Sequence, residues 1–168
     1  MNLTRYLCAD LIVLDMASPL PVPDDPNLNL EKFRQQQKET VLEELVNLLE
    51  QSGNVINKRK LLTDMINRER RASTGLSRGI AVPHVRTSYI RELTIAIARS
   101  REGLDFDSAD GQPTHFFFVV VAPPQGDEDL YLKIYKHLAE ATAFENALTD
   151  LMEVESAGEM IRLLRQWE

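Results

Sequence analysis

Cysteine is almost missing from this sequence, since Cys8 is the single one among 168 residues. An internal disulfide and a zinc site built from several cysteines are therefore excluded. The lone thiol is most simply explained as a small buried apolar side chain. Basic residues are also in deficit, with 19 against 26 acidic ones and a formal net charge of -7. Broad nucleic-acid binding needs a basic surface, so this balance argues against it, although it leaves room for a local basic site.

Long apolar runs are missing as well, and no stretch approaches the roughly 20 apolar residues that cross a bilayer. The apolar patch near the N-terminus is interrupted at Asp10 and ends at Asp15, which is not the pattern of a secretory signal peptide. We therefore expect a cytoplasmic protein with no membrane insertion.

Several motifs of known chemistry are absent. The sequence has no Walker loop and no G-x-G-x-x-G for a nucleotide, and no G-x-S-x-G elbow for a serine hydrolase. Of the three histidines, His115 opens an apolar run and His137 lies within a helical pattern. Neither has carboxylates at a spacing typical of metal ligands. Nothing in the sequence therefore predicts a metal site or an organic cofactor.

Helical and strand-like segments alternate along a length that suits one domain, residues 1–168. Apolar stripes predict helices at about 33–51, 58–70, 127–142, 144–152 and 156–165. Short apolar runs predict strands at about 11–14, 79–82, 93–98 and 115–121. Asn57 is the expected cap of the second helix, and Ser156 with Glu159 forms a capping box before the last. We predict an α/β (α+β) fold, in which helices flank one mixed β-sheet.

Prolines concentrate in residues 18–29, which hold four prolines in twelve residues. Proline removes a backbone donor and fixes φ, so this segment cannot be a regular helix or a central strand. We expect an extended excursion on the surface. It is either a tolerated loop or a segment that docks a partner.

The stretch RGIAVPHVR, residues 78–86, is the most informative one. A short apolar run meets Pro83, and His84 follows. Pro83 fixes its own φ and restrains the residue before it, which holds the next side chain in a defined place. Arg78 and Arg86 bring positive charge, and the STG at 73–75 brings hydroxyls and backbone N–H groups that can approach an anion. These residues alone leave two interpretations open, a structural histidine and a functional one.

A functional His84 would act as a nucleophile. Imidazole titrates near neutral pH, so an unprotonated nitrogen is available without heavy tuning. A phosphoryl group on that nitrogen would need cations and hydrogen-bond donors around it. The neighbouring arginines and hydroxyls meet that requirement.

The longer run INRERRASTGLSRGIAVPH, residues 66–84, resembles the signature of the fructose/mannitol-type EIIA domains of the bacterial sugar phosphotransferase system. The family pattern is roughly R-E-x-x-x-S-T-G-[IL]-G-x-G-[IV]-A-[IV]-P-H. The positions that match at the right spacing are Arg68, Glu69, Ser73, Thr74, Gly75, Gly79, Ala81, Pro83 and His84. The flanking segments are similar too, so the resemblance spans nearly the whole chain. The exception is about residues 18–35, which look like a proline-rich insertion.

The resemblance implies the mannitol-type EIIA fold and a phosphocarrier function. By that resemblance, His84 accepts a phosphoryl group from the phosphohistidine of an HPr-like carrier, and Arg68 stabilises it. Ser73 and Thr74 would be neighbours in the pocket. The transfer would need no metal and no organic cofactor, because its phosphoryl donor is itself a protein.

The resemblance also implies a downstream partner, either an EIIB protein or a regulated kinase or transporter. The stand-alone nitrogen-regulatory branch fits best, because the chain is one EIIA-sized domain with no fused transport domain. Two alternatives stay open. One is the EIIA component of a fructose- or mannitol-type sugar transporter, and the other is a regulatory binding module of the same fold that transfers nothing.

Some positions depart from the family pattern. Many members carry a second histidine after the long apolar strand, where this sequence aligns Tyr131 or Leu130. Tyr131 could donate through its hydroxyl or serve in packing. Ser77 and Val85 stand where glycines are frequent, which predicts a narrower site or a changed preference for partners.

Overall fold

One five-stranded mixed sheet forms the centre of the structure, a computed structural model that describes residues 1–168. The strands are β1 (Ile12–Val13), β2 (Ile80–Ala81), β3 (His84–Arg86), β4 (Thr94–Leu104) and β5 (Thr114–Ala122). β1 pairs in parallel with β4, and β4 pairs antiparallel with β5. Both β2 and β3 pair in parallel with β5 on its other side. The predicted mixed sheet is confirmed, with β5 as the strand to which β2, β3 and β4 pair.

Helices flank this sheet, as the apolar stripes predict. They are α1 (Leu30–Glu50), α2 (Lys58–Arg71), α3 (Glu128–Ala141), α4 (Ala147–Glu153) and α5 (Ala157–Gln166). Two short 3-10 helices, Leu3–Tyr6 and Ala9–Leu11, precede β1. The predicted cap of α2 is confirmed, since the Asn57 side chain accepts a hydrogen bond from the Lys60 N–H at 3.1 Å. None of the helices combines the length and the apolarity that crossing a membrane would require.

β5 divides the protein into two cores. Its side chains alternate, so Phe117, Val119 and Val121 pack with α1 and α2. Phe116, Phe118 and Val120 pack with α3, α4 and α5 on the opposite face. A strand buried on both faces reads as a continuous apolar run, because neither set of side chains meets water.

On one side of β5, the edge of the sheet is formed by β2 and β3, which are separated by a short break in the strand. Ile80 of β2 lies opposite Phe116, and His84 of β3 lies opposite Val120 four residues further along β5. Pro83 stands at the break and cannot donate a backbone hydrogen bond, but its carbonyl accepts one from the Val120 N–H at 3.0 Å. The break therefore places His84 at an edge without losing its register on the central strand.

Two expectations about the chain termini need correction. Cys8 is exposed rather than buried, because the core positions of that segment go to Leu3 and Leu11. The capping box is half formed. Ser156 Oγ accepts from the Glu159 N–H at 3.1 Å, but the Glu159 carboxylate accepts from the Glu155 N–H at 2.9 Å, one residue earlier than the motif requires.

The first long helix begins at Leu30, a few residues before the predicted start, because Asn29 caps it by accepting from the Lys32 N–H at 3.0 Å. Residues 30–35 of the predicted insertion at about 18–35 are thus helical. Residues 18–29 hold no helix or strand, as their prolines predict.

An arginine that the sequence pattern did not single out is fully buried on β4. Arg99 is 0% exposed and donates from Nε to the Leu14 carbonyl at 2.9 Å. Its Nη1 atom donates to the carbonyls of Leu151, Met152 and Val154 at the end of α4. Those carbonyls carry the partial negative charge of a helix C-terminus. Burial lowers the pKa of Arg99, yet these carbonyls give its charge a polar surrounding, so the side chain ties α4 to the sheet.

The segment before β2 is packed closely against the chain around Gly75, and a substitution at this position tests that packing. A Cβ added there would lie 2.9 Å from Ser108 Cα and 3.1 Å from the Phe106 carbonyl oxygen, both backbone atoms that cannot rotate away. We expect Gly75→Ala to lower the free energy of unfolding by about 1–3 kcal/mol, the usual cost of overpacking. Urea denaturation followed by circular dichroism measures it.

Gly158→Ala is the matched control, because Gly158 lies in the first turn of α5 and an added Cβ would meet nothing closer than 3.7 Å. It should stabilise the protein by less than about 1 kcal/mol. Equal stabilities of the two variants would contradict the close approach at Gly75.

Candidate functional site

His84 lies half-buried on β3, and its imidazole forms a hydrogen bond with the backbone two residues earlier. The Nδ1 atom lies 2.7 Å from the Val82 carbonyl oxygen. A carbonyl oxygen can only accept, so Nδ1 carries the proton and donates it. The proline between the two residues keeps this turn of the backbone in place.

Arg68, at the end of α2, approaches the other nitrogen of the same ring. Its Nη2 atom lies 3.2 Å from His84 Nε2. A guanidinium can only donate, so Nε2 must accept and carries a lone pair. Arg68 Nη1 donates to the Ala72 carbonyl at 3.0 Å, which fixes the guanidinium at the helix end. The two contacts together select the neutral Nδ1–H tautomer, in which Nε2 carries the unprotonated lone pair.

The surroundings of His84 favour the neutral ring. Burial lowers the pKa of His84 below its ordinary value of 6.5, and the positive charge of Arg68 lowers it further. The hydrogen bond to Val82 and the negative charge of Glu69 act in the opposite direction. The neutral form of the ring is therefore more favoured than in an unperturbed histidine. Because the folded chain binds this proton less tightly than the unfolded chain, acidification below pH 6.5 destabilises the fold through this group.

Two tyrosines of α3 cover the imidazole. The ring centroids of Tyr131 and His84 are 6.0 Å apart, and those of Tyr135 and His84 are 4.6 Å apart. Burial raises the pKa of Tyr131 to about 12, so its hydroxyl stays protonated and can donate a hydrogen bond. Tyr131, one of the two residues that align with the second histidine of the family, thus lies beside His84. Sequence analysis missed Tyr135, which its position one helical turn after Tyr131 could have indicated.

Glu69 is a buried carboxylate next to Arg68 in sequence, and it is only 6% exposed. It accepts from the Thr74 N–H at 2.9 Å and from the Thr74 hydroxyl at 2.6 Å. The Lys38 ammonium of α1 lies 3.1 Å away. A buried carboxylate is tolerated only when donors of this kind surround it. The contacts among Lys38, Glu69 and Thr74 are called the Glu69 network below.

The Glu69 network is connected through the backbone to both Arg68 and His84. Thr74 offers its carbonyl to the Val82 N–H at 3.0 Å, and Val82 in turn accepts from His84. Glu69 itself belongs to the helix turn that carries Arg68. Sequence analysis matched Glu69 to the family pattern but assigned it no role, because its donors are contributed by other segments.

Ser73 and Thr74 lie in the loop between α2 and β2, but their hydroxyls have partners other than His84. Ser73 Oγ donates to the Phe106 carbonyl at 3.0 Å, and Thr74 Oγ1 donates to Glu69. The structure therefore shows them as supports of the loop. Their predicted role next to a phosphoryl group stays a prediction.

Arg78 and Arg86, which flank the motif, form their hydrogen bonds with backbone carbonyls of other segments and not with His84. Arg78 has a positive φ of 59° and donates from Nη1 to the Ala143 carbonyl at 2.8 Å. Arg86 donates to the Pro124 carbonyl at 2.8 Å, and its guanidinium carbon lies 5.9 Å from the centre of the Tyr131 ring. Arg86 thus holds the start of α3 beside the site, whereas Arg78 makes no contact with His84.

Val85 does not narrow the site as predicted. It is buried in the core formed with α1 and α2, on the face opposite His84. Ser77 is exposed. The structure contains no group of three or more histidine, cysteine, aspartate or glutamate side chains that could bind a metal ion.

The chain matches the family described as the phosphoenolpyruvate-dependent sugar phosphotransferase system, EIIA 2, over residues 27–167. It therefore belongs to this family, which confirms the resemblance carried by residues 66–84. Because the match begins at residue 27, it includes residues 27–35 of the predicted insertion.

Two relatives are fructose-specific. The EIIA component of Haloferax volcanii is 36% identical over 119 residues, which are 71% of this chain and 77% of that protein. The EIIABC component of Bacillus subtilis is 33% identical over 139 residues, which are 83% of this chain. The chain covers only 21% of the length of that second relative.

Solved structures give the same fold. The nitrogen regulatory protein IIA-Ntr of Neisseria meningitidis superposes with a TM-score of 0.80 at 27% identity, covering 98% of this chain and 99% of that one. The mannitol enzyme IIA of Escherichia coli, solved in complex with phosphorylated enzyme IIB, has a TM-score of 0.71 at 19% identity and covers 95% of this chain and 97% of its own. This second likeness shows the fold alone and confirms the expected mannitol-type EIIA architecture.

Removing the charges on the two sides of His84 should move its pKa in opposite directions. Arg68→Gln takes away a cation that disfavours the protonated ring, so the pKa should rise. Glu69→Gln takes away an anion that favours it, so the pKa should fall. An NMR titration of the His84 ring signals against pH measures both shifts.

Glu39→Gln is the matched control. Glu39 also joins α1 to α2, through an ion pair of 2.6 Å with Arg70, but its side chain makes no hydrogen bond or ion pair with the Glu69 network. It should leave the His84 titration unchanged. Shifts of the same sign in the two test variants would contradict the described electrostatics.

Proposed function

We propose that this protein is a histidine phosphocarrier, in which Nε2 of His84 accepts a phosphoryl group and later passes it on. The supporting observation is the pair of opposite contacts on the imidazole. Val82 accepts the Nδ1 proton at 2.7 Å, and the Arg68 guanidinium lies 3.2 Å from Nε2. The first contact aims a lone pair outward, and the second puts a cation where phosphoryl oxygens would gather.

The transfer is an exchange between two imidazoles. The P–N bond of a donor phosphohistidine breaks while a P–N bond forms at His84 Nε2. The bonding electron pair returns to the donor nitrogen, and the donor ring, protonated on its other nitrogen, leaves as a neutral imidazole. His84 keeps its Nδ1 proton and becomes a phosphorylated imidazolium. The exchange itself uses no metal and no organic cofactor.

Each charge that develops in this exchange has a partner in the site. The positive ring of phosphorylated His84 is favoured by the Val82 carbonyl and by the negative charge of Glu69, the two influences that raise the pKa of His84. The phosphoryl oxygens accept hydrogen bonds from Arg68 and from the protonated hydroxyl of Tyr131. Arg68 is the stronger donor, because its guanidinium offers charge and several N–H groups together. Ser73 and Thr74 hold the loop that keeps these groups in place.

As phosphoryl donor we propose a cytoplasmic HPr-like carrier, and as acceptor an EIIB protein or a regulated kinase or transporter. A nitrogen-regulatory role is supported by the superposition with IIA-Ntr, which covers 98% of the chain. A second candidate is the EIIA component of a fructose-type transporter, supported by 36% identity to such a component.

Incubation with phosphoenolpyruvate, the general phosphotransferase enzyme and an HPr-like carrier should add one phosphoryl group, read as a mass increase of the intact chain. His84→Ala should abolish it, whereas His137→Ala on α3 should not, because His137 makes no contact in the site. Phosphorus NMR should place the group on Nε2. Arg68→Gln should slow the transfer on the order of 10²-fold, as expected for loss of a charged donor.

Phosphorylation of His84→Ala at the wild-type rate would overturn the proposal. A wild-type chain that is never phosphorylated but still binds partners would favour a non-transferring module. Transfer onward to a fructose-type EIIB would favour the transporter role over the regulatory one.

The two tyrosines offer a separate test. Tyr131→Phe removes a hydroxyl that we assign to the phosphoryl group, and should slow phosphorylation by about 2- to 10-fold, the worth of one neutral hydrogen bond. Tyr135→Phe, which keeps the ring 4.6 Å from His84, should change the rate less. Single-turnover kinetics measures both, and equal rates for Tyr131→Phe and wild type would assign Tyr131 to packing alone.

A further inference from the structure

A cavity of about 430 Å³ lies between the 3-10 helix Leu3–Tyr6 and helix α3. The residues that line it are Met1, Asn2, Arg5, Tyr6, Leu130, Lys133, Lys136, His137 and Glu140. None of the side chains that contact His84 is among them. The volume is in the range of pockets that hold small metabolites, roughly 300–1,000 Å³.

The charge in this cavity is opposite to that of the whole chain. The chain has a net charge of -7, yet Arg5, Lys133 and Lys136 line this cavity with Glu140 as the only carboxylate. Glu140 already lies 3.7 Å from Lys136. Arg5 and Lys133 form no ion pair and no side-chain hydrogen bond in the structure. Arg5 on one wall and Lys133 on the other therefore have no counter-ion, and an anion bound between the walls would supply one.

Both walls of the cavity are anchored. The 3-10 helix inserts Leu3 into the core, where this side chain is 1% exposed. The Thr4 N–H donates to the Glu168 carboxylate at 2.6 Å. Helix α3 is anchored through Ile134 and Leu138, both fully buried. The cations therefore project from fixed backbones, so a ligand would not have to order the walls before binding.

We propose that this cavity binds a small phosphomonoester. A phosphate dianion suits an arginine fork on one wall and lysine ammonium groups on the other. Asn2 and Tyr6 add neutral hydrogen-bonding groups, and the side chains of Met1 and Leu130 offer apolar surface to a short carbon skeleton. The proposal does not depend on phosphorylation of His84, because the two sites share no side chain.

Titration of the ¹⁵N-labelled protein with glycerol 3-phosphate tests the proposal. Saturable shifts should appear in the backbone signals of Asn2, Tyr6, Lys133 and His137. Arg5→Gln and Lys133→Gln should each raise the Kd about tenfold or more, the expected loss for a charged hydrogen bond. Glycerol at the same concentrations should cause no saturable shift.

The matched controls are Arg59→Gln and Lys32→Gln, exposed cations on α2 and α1 that lie outside the cavity. They should leave the Kd unchanged. Binding of inorganic phosphate as tight as that of glycerol 3-phosphate would confine recognition to the phosphate group, and would overturn the assignment of a phosphomonoester. No saturable shift with either anion, or equal weakening by test and control variants, would overturn the site itself.

Discussion

Burial of β5 on both faces is the constraint on which the rest of the structure depends. Its residues from Phe116 to Ala122 are all buried, so helices must cover each side of the sheet and β2, β3 and β4 must pair along its edges. This fixes the register of His84 opposite Val120. His84 is therefore positioned by its backbone pairing with this central strand.

The surroundings of His84 depend on the break between β2 and β3. Pro83 interrupts the edge of the sheet, which leaves the Val82 carbonyl free to hold one nitrogen of His84 while the other nitrogen faces Arg68. The Glu69 network links both sides of this arrangement, because it joins α1, the end of α2 and the loop before β2. Its buried carboxylate costs desolvation energy, and the close donors offset that cost. The same carboxylate favours a positive charge on His84. Glu69 therefore both stabilises the loop at Thr74 and raises the pKa of the imidazole.

Helix α3 presents two different surfaces. One carries Tyr131 and Tyr135 against His84, and the neighbouring one carries Lys133 and His137 toward the 3-10 helix at Arg5. Residues three and four apart share a face of a helix, which is why these two pairs of residues lie on separate surfaces. The net negative charge of the chain does not reveal the basic residues near either surface, since each has only a few.

Much of this protein is determined by its sequence alone. The apolar periodicities predict all five α-helices and the central strand, because burial imposes those periods directly. The run from Arg68 to His84 identifies the family, since its residues keep a fixed spacing. The tertiary structure alone decided that Cys8 is exposed, that Arg99 is buried against the end of α4, and that Lys38 belongs to the surroundings of the site. These facts depend on contacts between segments far apart in the chain, and no local pattern records which distant donor or carbonyl a side chain will meet.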